Sequence, residues 1–187
     1  MARKTETVPA YRLVRSHRKS LAVVVRTDNS VEVRSPLAMP RDRIDLFVRA
    51  NSGWIERKRA ENHARVRLEP VSPEHVRRFA DLLPAWIKAL AAQHALPLPR
   101  GIRLRDMVSR WGSCSQKGTI TLNTRCAALP ETLQTYVILH EICHLRHMNH
   151  SRAFWQLLLA CLPDARERRH QLKAYQLVRA DREGASL

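Results

Sequence analysis

The hydrophobic pattern changes period along the chain. Tyr11 to Ser16 (YRLVRS) alternates, Ser20 to Arg26 (SLAVVVR) is apolar and β-branched, and Val31 to Arg34 (VEVR) alternates again. Period-two patterning predicts strands, and Asp28-Asn29 supplies turn chemistry between the last two. The expectation is a small antiparallel hairpin or meander, ended by Pro36 and Pro40. From Arg41 to Arg65 the period becomes helical. Ile44, Phe47 and Val48 form one apolar stripe, and Trp54 and Ile55 begin a second. Asn51-Ser52-Gly53 predicts a break between them.

Residues 66–73 (VRLEPVSP) read as a linker. Ser72-Pro73-Glu74 places a capping hydroxyl, a proline and an acid where a helix starts. That helix is expected to reach about His94, interrupted or kinked at Pro84, with Pro97 and Pro99 ending the unit. Ile102 to Ser109 and Thr119 to Asn123 predict two strands around a loop, Trp111 to Gly118. Pro130-Glu131 opens a helix whose buried surface comes from Leu133, Val137, Leu139 and Leu145. Ser151 caps the next helix, and Pro163-Asp164 starts a last one ending near Asp181. The fold class is therefore α+β. An N-terminal lobe of β-hairpin and helices, residues 1–70, precedes a second domain, residues 71–187. No internal repeat or low-complexity segment is visible.

The stretch HEICHLRHMNH, His140 to His150, holds four of the nine histidines. Positions four apart share a helix face, so His140 and His144 can aim two imidazoles at one ion. Neutral imidazole suits zinc. Glu141 is placed to act as general base on water beside the ion. A third ligand is needed. On a straight helix His150 would lie about 600° around the axis and about 9 Å beyond His144, so the chain must turn. Asn149 is a plausible left-handed cap, and a turn at Met148-Asn149 would swing His150 back. His150 is therefore the expected third ligand, with His147 as the decoy. The same five-residue gap occurs in HExxHxxGxxH zinc peptidases.

Charge and cysteines narrow the setting. The chain carries 33 basic and 17 acidic side chains, a formal net charge of +16 spread along its length. Such a field attracts polyanions, nucleic acid or nucleotides among them. Aromatic residues at 5% leave few rings for base stacking, and no nucleic-acid motif is present. Cys114, Cys126, Cys143 and Cys161 contain no C-x-x-C pair, which argues against a cysteine zinc ribbon. No apolar run approaches the roughly 18 residues of a membrane span. The basic start, MARKTETVPAYRL, lacks a signal-like apolar stretch. The expected location is the cytoplasm, with no membrane partner.

RWGSCS at Arg110 to Ser115, LN at Leu122-Asn123, PE at Pro130-Glu131, YVILHEICHL at Tyr136 to Leu145 and MNHSRAFW at Met148 to Trp155 together resemble the YgjP-like metallopeptidase family. These are bacterial zincins similar to SprT-like and WLM domains. The resemblance is specific from about residue 100 to 160 and weaker before it. It implies one Zn2+ held by His140, His144 and His150, with Glu141 as catalytic base. It also implies a minimal zincin-like core, a short antiparallel sheet packed on the active-site helix. Family members often carry more β structure between the early helices and the middle helix than residues 66–73 have room for.

The expected reaction is hydrolysis of a peptide or protein substrate. The developing oxyanion needs a further donor, and Arg110, Trp111, Ser113 and Asn123 are the candidates. An extended peptide can add to an edge strand, expected at residues 119–123. Two rivals remain at this level. One is a metal-dependent nucleoside triphosphate pyrophosphatase or phosphohydrolase, which the arginines would serve. The other is a DNA-associated protein-processing protease. Cys114 lies in the loop near the site, whereas Cys143 is expected to face the core.

Overall fold

The computed structural model describes residues 8–178. The chain forms two compact units, residues 1–65 and 66–187.

In the first unit, β1 (Arg12–Ser16), β2 (Ala22–Val25) and β3 (Val31–Pro36) form a sheet in the order β1-β3-β2. β2 and β3 make the expected antiparallel pair, turning through Asn29 in the left-handed region at φ 65°. β1 departs from the expected meander, because it pairs with β3, and in parallel. Only the central strand is buried along most of its length. Val31, Val33, Ile44, Val48 and Ile55 form this unit's core. Two helices cover it, α1 (Arg41–Ala50) and α2 (Ser52–His63), with the break at Asn51 as the sequence predicts.

The second unit is built on α3 (Pro73–Gln93) and α4 (Glu131–Cys143). Ser72 caps α3 as expected, its hydroxyl accepting from the His75 N–H, and Pro84 lies within the helix. The sheet beside them has the order β5-β7-β6, from β5 (Gly101–Arg105), β6 (Gly112–Cys114) and β7 (Thr119–Asn123). It is mixed, where an antiparallel sheet was expected: β5 pairs parallel with β7, and β6 antiparallel. The expected loop at 111–118 thus contains a strand. Gly118, at φ 78°, makes the tight turn from β6 to β7, a conformation glycine adopts without steric cost. β7 is therefore central, and the edge facing the site is β6. Residues 119–123 are paired on both sides and so cannot serve as an edge.

Two further expectations are corrected. Val66–Leu68, expected as linker, is a short strand, β4, paired in parallel with Tyr175–Leu177, β8. Correspondingly the last helix, α6 (Ala165–Leu172), stops well before Asp181, a position outside the described residues. A three-residue strand is too short to show a period, so only its distant partner reveals it. α5 (Arg152–Cys161) joins α4 and α6, capped by Ser151 as expected. α4 is buried on nearly every side, with Leu133, Tyr136, Val137, Ile138, Leu139, Ile142 and Cys143 in one core. A helix apolar all round belongs in the middle of its unit. Among the described residues, no helix is long and apolar enough to cross a membrane.

Candidate metal centre

The last turn of α4 carries His140 and Glu141, and the helix ends at Cys143. His144 is the cap residue, still in helical geometry, so its imidazole stays one turn above His140. The chain turns directly after it, with the Leu145, Arg146 and His147 N–H groups bonding back to Ile142 and Cys143. The turn therefore begins earlier than Met148-Asn149. Asn149 contributes differently from a left-handed cap: its side chain accepts from the Ser151 N–H, setting the entry to α5 just as His150 passes the site.

The result is a convergence of imidazoles. His140 Nε2 lies 3.2 Å from His144 Nε2 and 2.9 Å from His150 Nε2. One ligating atom from each of the three lies within 4.8 Å of the others. His147 is outside this group and serves it through its backbone, its carbonyl accepting from His144 Nδ1 at 2.9 Å. That bond puts the His144 proton on Nδ1 and leaves Nε2 with its lone pair toward the centre. Burial, with the neighbouring His144 and His150, pushes the His140 pKa down to about 3, and burial lowers His150 as well. Neutral rings are the form a metal binds.

Three imidazole nitrogens turned on one another offer a cation three donors. Tetrahedral zinc with nitrogen ligands at about 2.0–2.1 Å would set them about 3.3 Å apart. The donor set and its spacing fit such an ion.

Phe154 supports the cluster from beneath. It is fully buried, stacks on His144 with ring centroids 4.5 Å apart, and meets His140 and His150 edge-on at 4.9 Å each. One ring thus touches all three imidazoles and keeps water from their inner side. The i+4 and i+5 spacing of Phe154 and Trp155 from His150 is the sequence signal that finds them.

Glu141 completes the site. It is buried, and one carboxylate oxygen, Oε2, has no hydrogen-bond partner. Burial raises its pKa to about 8, against a lowering by the Arg110 charge. The backbone of β6 runs directly over it: a β-carbon on Gly112 would stand 2.6 Å from Glu141 Oε1 and 2.8 Å from its Cγ. The missing side chain makes room for the carboxylate. Gly112 was not singled out from the sequence, although a glycine inside RWGSC is the signal that finds it.

The cleft has a volume of about 230 Å3 and is walled by Gly112, Ser113 and Cys114 on one side and by the histidines, Glu141 and Met148 on the other. Cys114 is half-buried, its thiol held in the neutral form by burial and by Glu141. Cys143 lies in the core, as expected, with its pKa pushed to about 12.

The four oxyanion candidates separate. Asn123 spends both amide hydrogens on the carbonyls of Met107, at 2.6 Å, and Arg110, at 2.9 Å, and its oxygen accepts from the Arg125 N–H. It ties down the loop before β6 and has no donor to offer a substrate. Trp111 packs against the core, and its carbonyl accepts from the Asn123 N–H. Ser113 lines the cleft, but strand alternation turns its hydroxyl to the face opposite Gly112. Arg110 is exposed, and its charge reaches Glu141.

The YgjP-like metallopeptidase domain matches residues 75–175, more than half of the chain. The chain belongs to the YgjP-like metallopeptidase family. It is therefore a metal-dependent peptide hydrolase of α+β fold. Two solved metallopeptidase zymogens are similar to it. Abylysin of Pyrococcus abyssi is 24% identical with a TM-score of 0.46, covering 51% of this chain and 98% of its own. Jannalysin of Methanocaldococcus jannaschii is 22% identical with a TM-score of 0.40, covering 46% and 88%. No curated protein matches.

Proposed function

We propose that His140, His144 and His150 hold one zinc ion and that Glu141 is the general base of peptide-bond hydrolysis. The observation that carries this reading is the convergence of three Nε2 atoms beside a buried carboxylate with a free oxygen. When bound, zinc supplies Lewis acidity, polarising the scissile carbonyl and making water nucleophilic near neutral pH.

The rest falls to the chain. Glu141 accepts the proton of the attacking water at Oε2 and delivers it to the leaving nitrogen, whose release completes the cleavage. Burial favours the protonated form Glu141 takes between the two steps, and a cation in the site would favour the carboxylate that begins them. The edge of β6 presents the substrate. The Asn123 N–H donates to the Trp111 carbonyl and the Ser115 N–H to the Thr119 carbonyl. Trp111, Ser113 and Ser115 therefore turn their backbone groups toward β7, and Gly112 and Cys114 turn theirs outward. An extended peptide adds there as a further strand, lying across Glu141. Arg110 supplies the side-chain donor for the developing oxyanion.

The four free cysteines suit a reducing compartment, and we place the enzyme in the cytoplasm. The deciding assay offers an unfolded peptide mixture and the four nucleoside triphosphates to zinc-loaded wild type and Glu141→Gln. Peptide cleavage that disappears in the variant is the expected outcome. Triphosphate cleavage lost in the same variant, with peptides untouched, would overturn the peptide reading.

A further inference from the structure

Beside His150, which lines the cleft, lies an indole with two arginines over it. The Trp155 ring lies 6.5 Å from the His150 ring. Above it stand the guanidinium carbons of Arg166, at 5.4 Å, and Arg169, at 5.2 Å, from one face of α6. Their spacing of three residues and their common aromatic base hold two like charges together at the surface. Among the described residues, neither has a carboxylate partner. Arg168 between them is different: it pairs with Asp164 at 2.9 Å and donates to the Thr132 carbonyl.

Two cations held side by side on an aromatic platform repel each other until an anion joins them. Stacking fixes the planar guanidinium groups, so little side-chain freedom is lost when their N–H groups engage a carboxylate. We infer that Arg166 and Arg169, seated on Trp155, form a binding site for a carboxylate side chain of the peptide substrate, giving the enzyme a preference for acidic peptides. This rests on the peptidase reading for its substrate, but not for the existence of the site. Phosphate oxygens share the relevant chemistry, so the test separates the two sources.

The probe is a set of fluorescein-labelled peptides, each carrying one Glu at a different position, with a Gln twin for each. Binding is measured by anisotropy to the zinc-loaded Glu141→Gln protein, and cleavage with zinc-loaded wild type. At one position the Glu peptide should bind roughly tenfold more tightly than its twin, with the ratio shrinking as salt rises. Arg166→Gln and Arg169→Gln, each added to Glu141→Gln, should bring the ratio toward one. Lys173→Gln removes a charge from the same end of the unit and should leave the ratio in place.

Three results would overturn the inference: a ratio near one at every position, an equal collapse with Lys173→Gln, or a nucleoside triphosphate that displaces the Glu peptide through Arg169 with higher affinity. If the binding ratio holds but wild type cleaves neither twin, the carboxylate site stands and the peptidase mechanism fails.

Discussion

Gly112 lies against Glu141, and its lack of a β-carbon leaves the carboxylate its place. A methyl group on Gly112 would stand 2.6 Å from Oε1 and 2.8 Å from Cδ. The colliding atoms are side-chain atoms, so Glu141 would yield before the strand does. Gly112→Ala should therefore keep its fold and bind metal in wild-type amount while losing about 100-fold in kcat, the order associated with a misplacement of about 1 Å. Metal analysis alongside steady-state kinetics checks this. Loss of the metal would show that β6 itself had been displaced.

The third ligand is tested by a pair of substitutions. His150→Ala should lose the ion on dialysis against a mild chelator. His147→Ala should retain it, because His147 reaches the site through its carbonyl. The reverse pattern would move the site to the decoy.

Phe154 should matter to metal binding without touching the ion. Phe154→Ala opens a cavity beneath three imidazoles and should cost about 3–5 kcal/mol in unfolding stability. Phe154→Leu should cost less. The more telling readout is the stabilisation that added zinc confers, which depends on affinity for the folded state. It should shrink in Phe154→Ala by more than in Phe154→Leu. An unchanged zinc increment would reduce Phe154 to ordinary packing.

Glu141 sets a pH dependence in the metal-free protein. Its folded pKa, about 8, lies above the ordinary carboxylate value because burial disfavours the charge. A raised acid pKa means that stability is full below the unfolded value and is lost as pH rises toward the folded one. In chelator, wild type should lose stability relative to Glu141→Gln between about pH 4.5 and 8, the buried histidines titrating alike in both proteins. The variant's advantage at pH 8 should reach about 2–4 kcal/mol. Parallel urea curves for the two proteins over this pH range would contradict it.

Asn123 should prove structural. It is fully buried and joins Met107, Arg110 and Arg125. Asn123→Ala strands two carbonyls and one N–H, and should cost about 2–4 kcal/mol. A variant of wild-type stability but greatly reduced kcat would restore Asn123 to the chemistry.

Much of this could be read along the chain because it is local. The caps at Ser72 and Ser151, the break at Asn51 and the i, i+4 histidines depend on neighbours within one or two helical turns. The elements that escaped depend on distant partners. Val66–Leu68 is a strand only because residues 175–177 lie beside it. Gly112–Cys114 looked like a loop because three residues show no period, and its strand character comes from β7.

The sequence by itself determined the family, the helical spacing of His140 and His144 and the need for a turn if His150 is to join them, since all of these are set by residue chemistry and short-range geometry. Tertiary structure decided which strand is the edge, why Asn123 is unavailable to substrate, and which ring supports the imidazoles. It also decided that a glycine would lie over the Glu141 carboxylate. Those depend on which surfaces meet after the chain has crossed itself, and no local pattern encodes where a backbone must come within contact distance of a side chain 29 residues away.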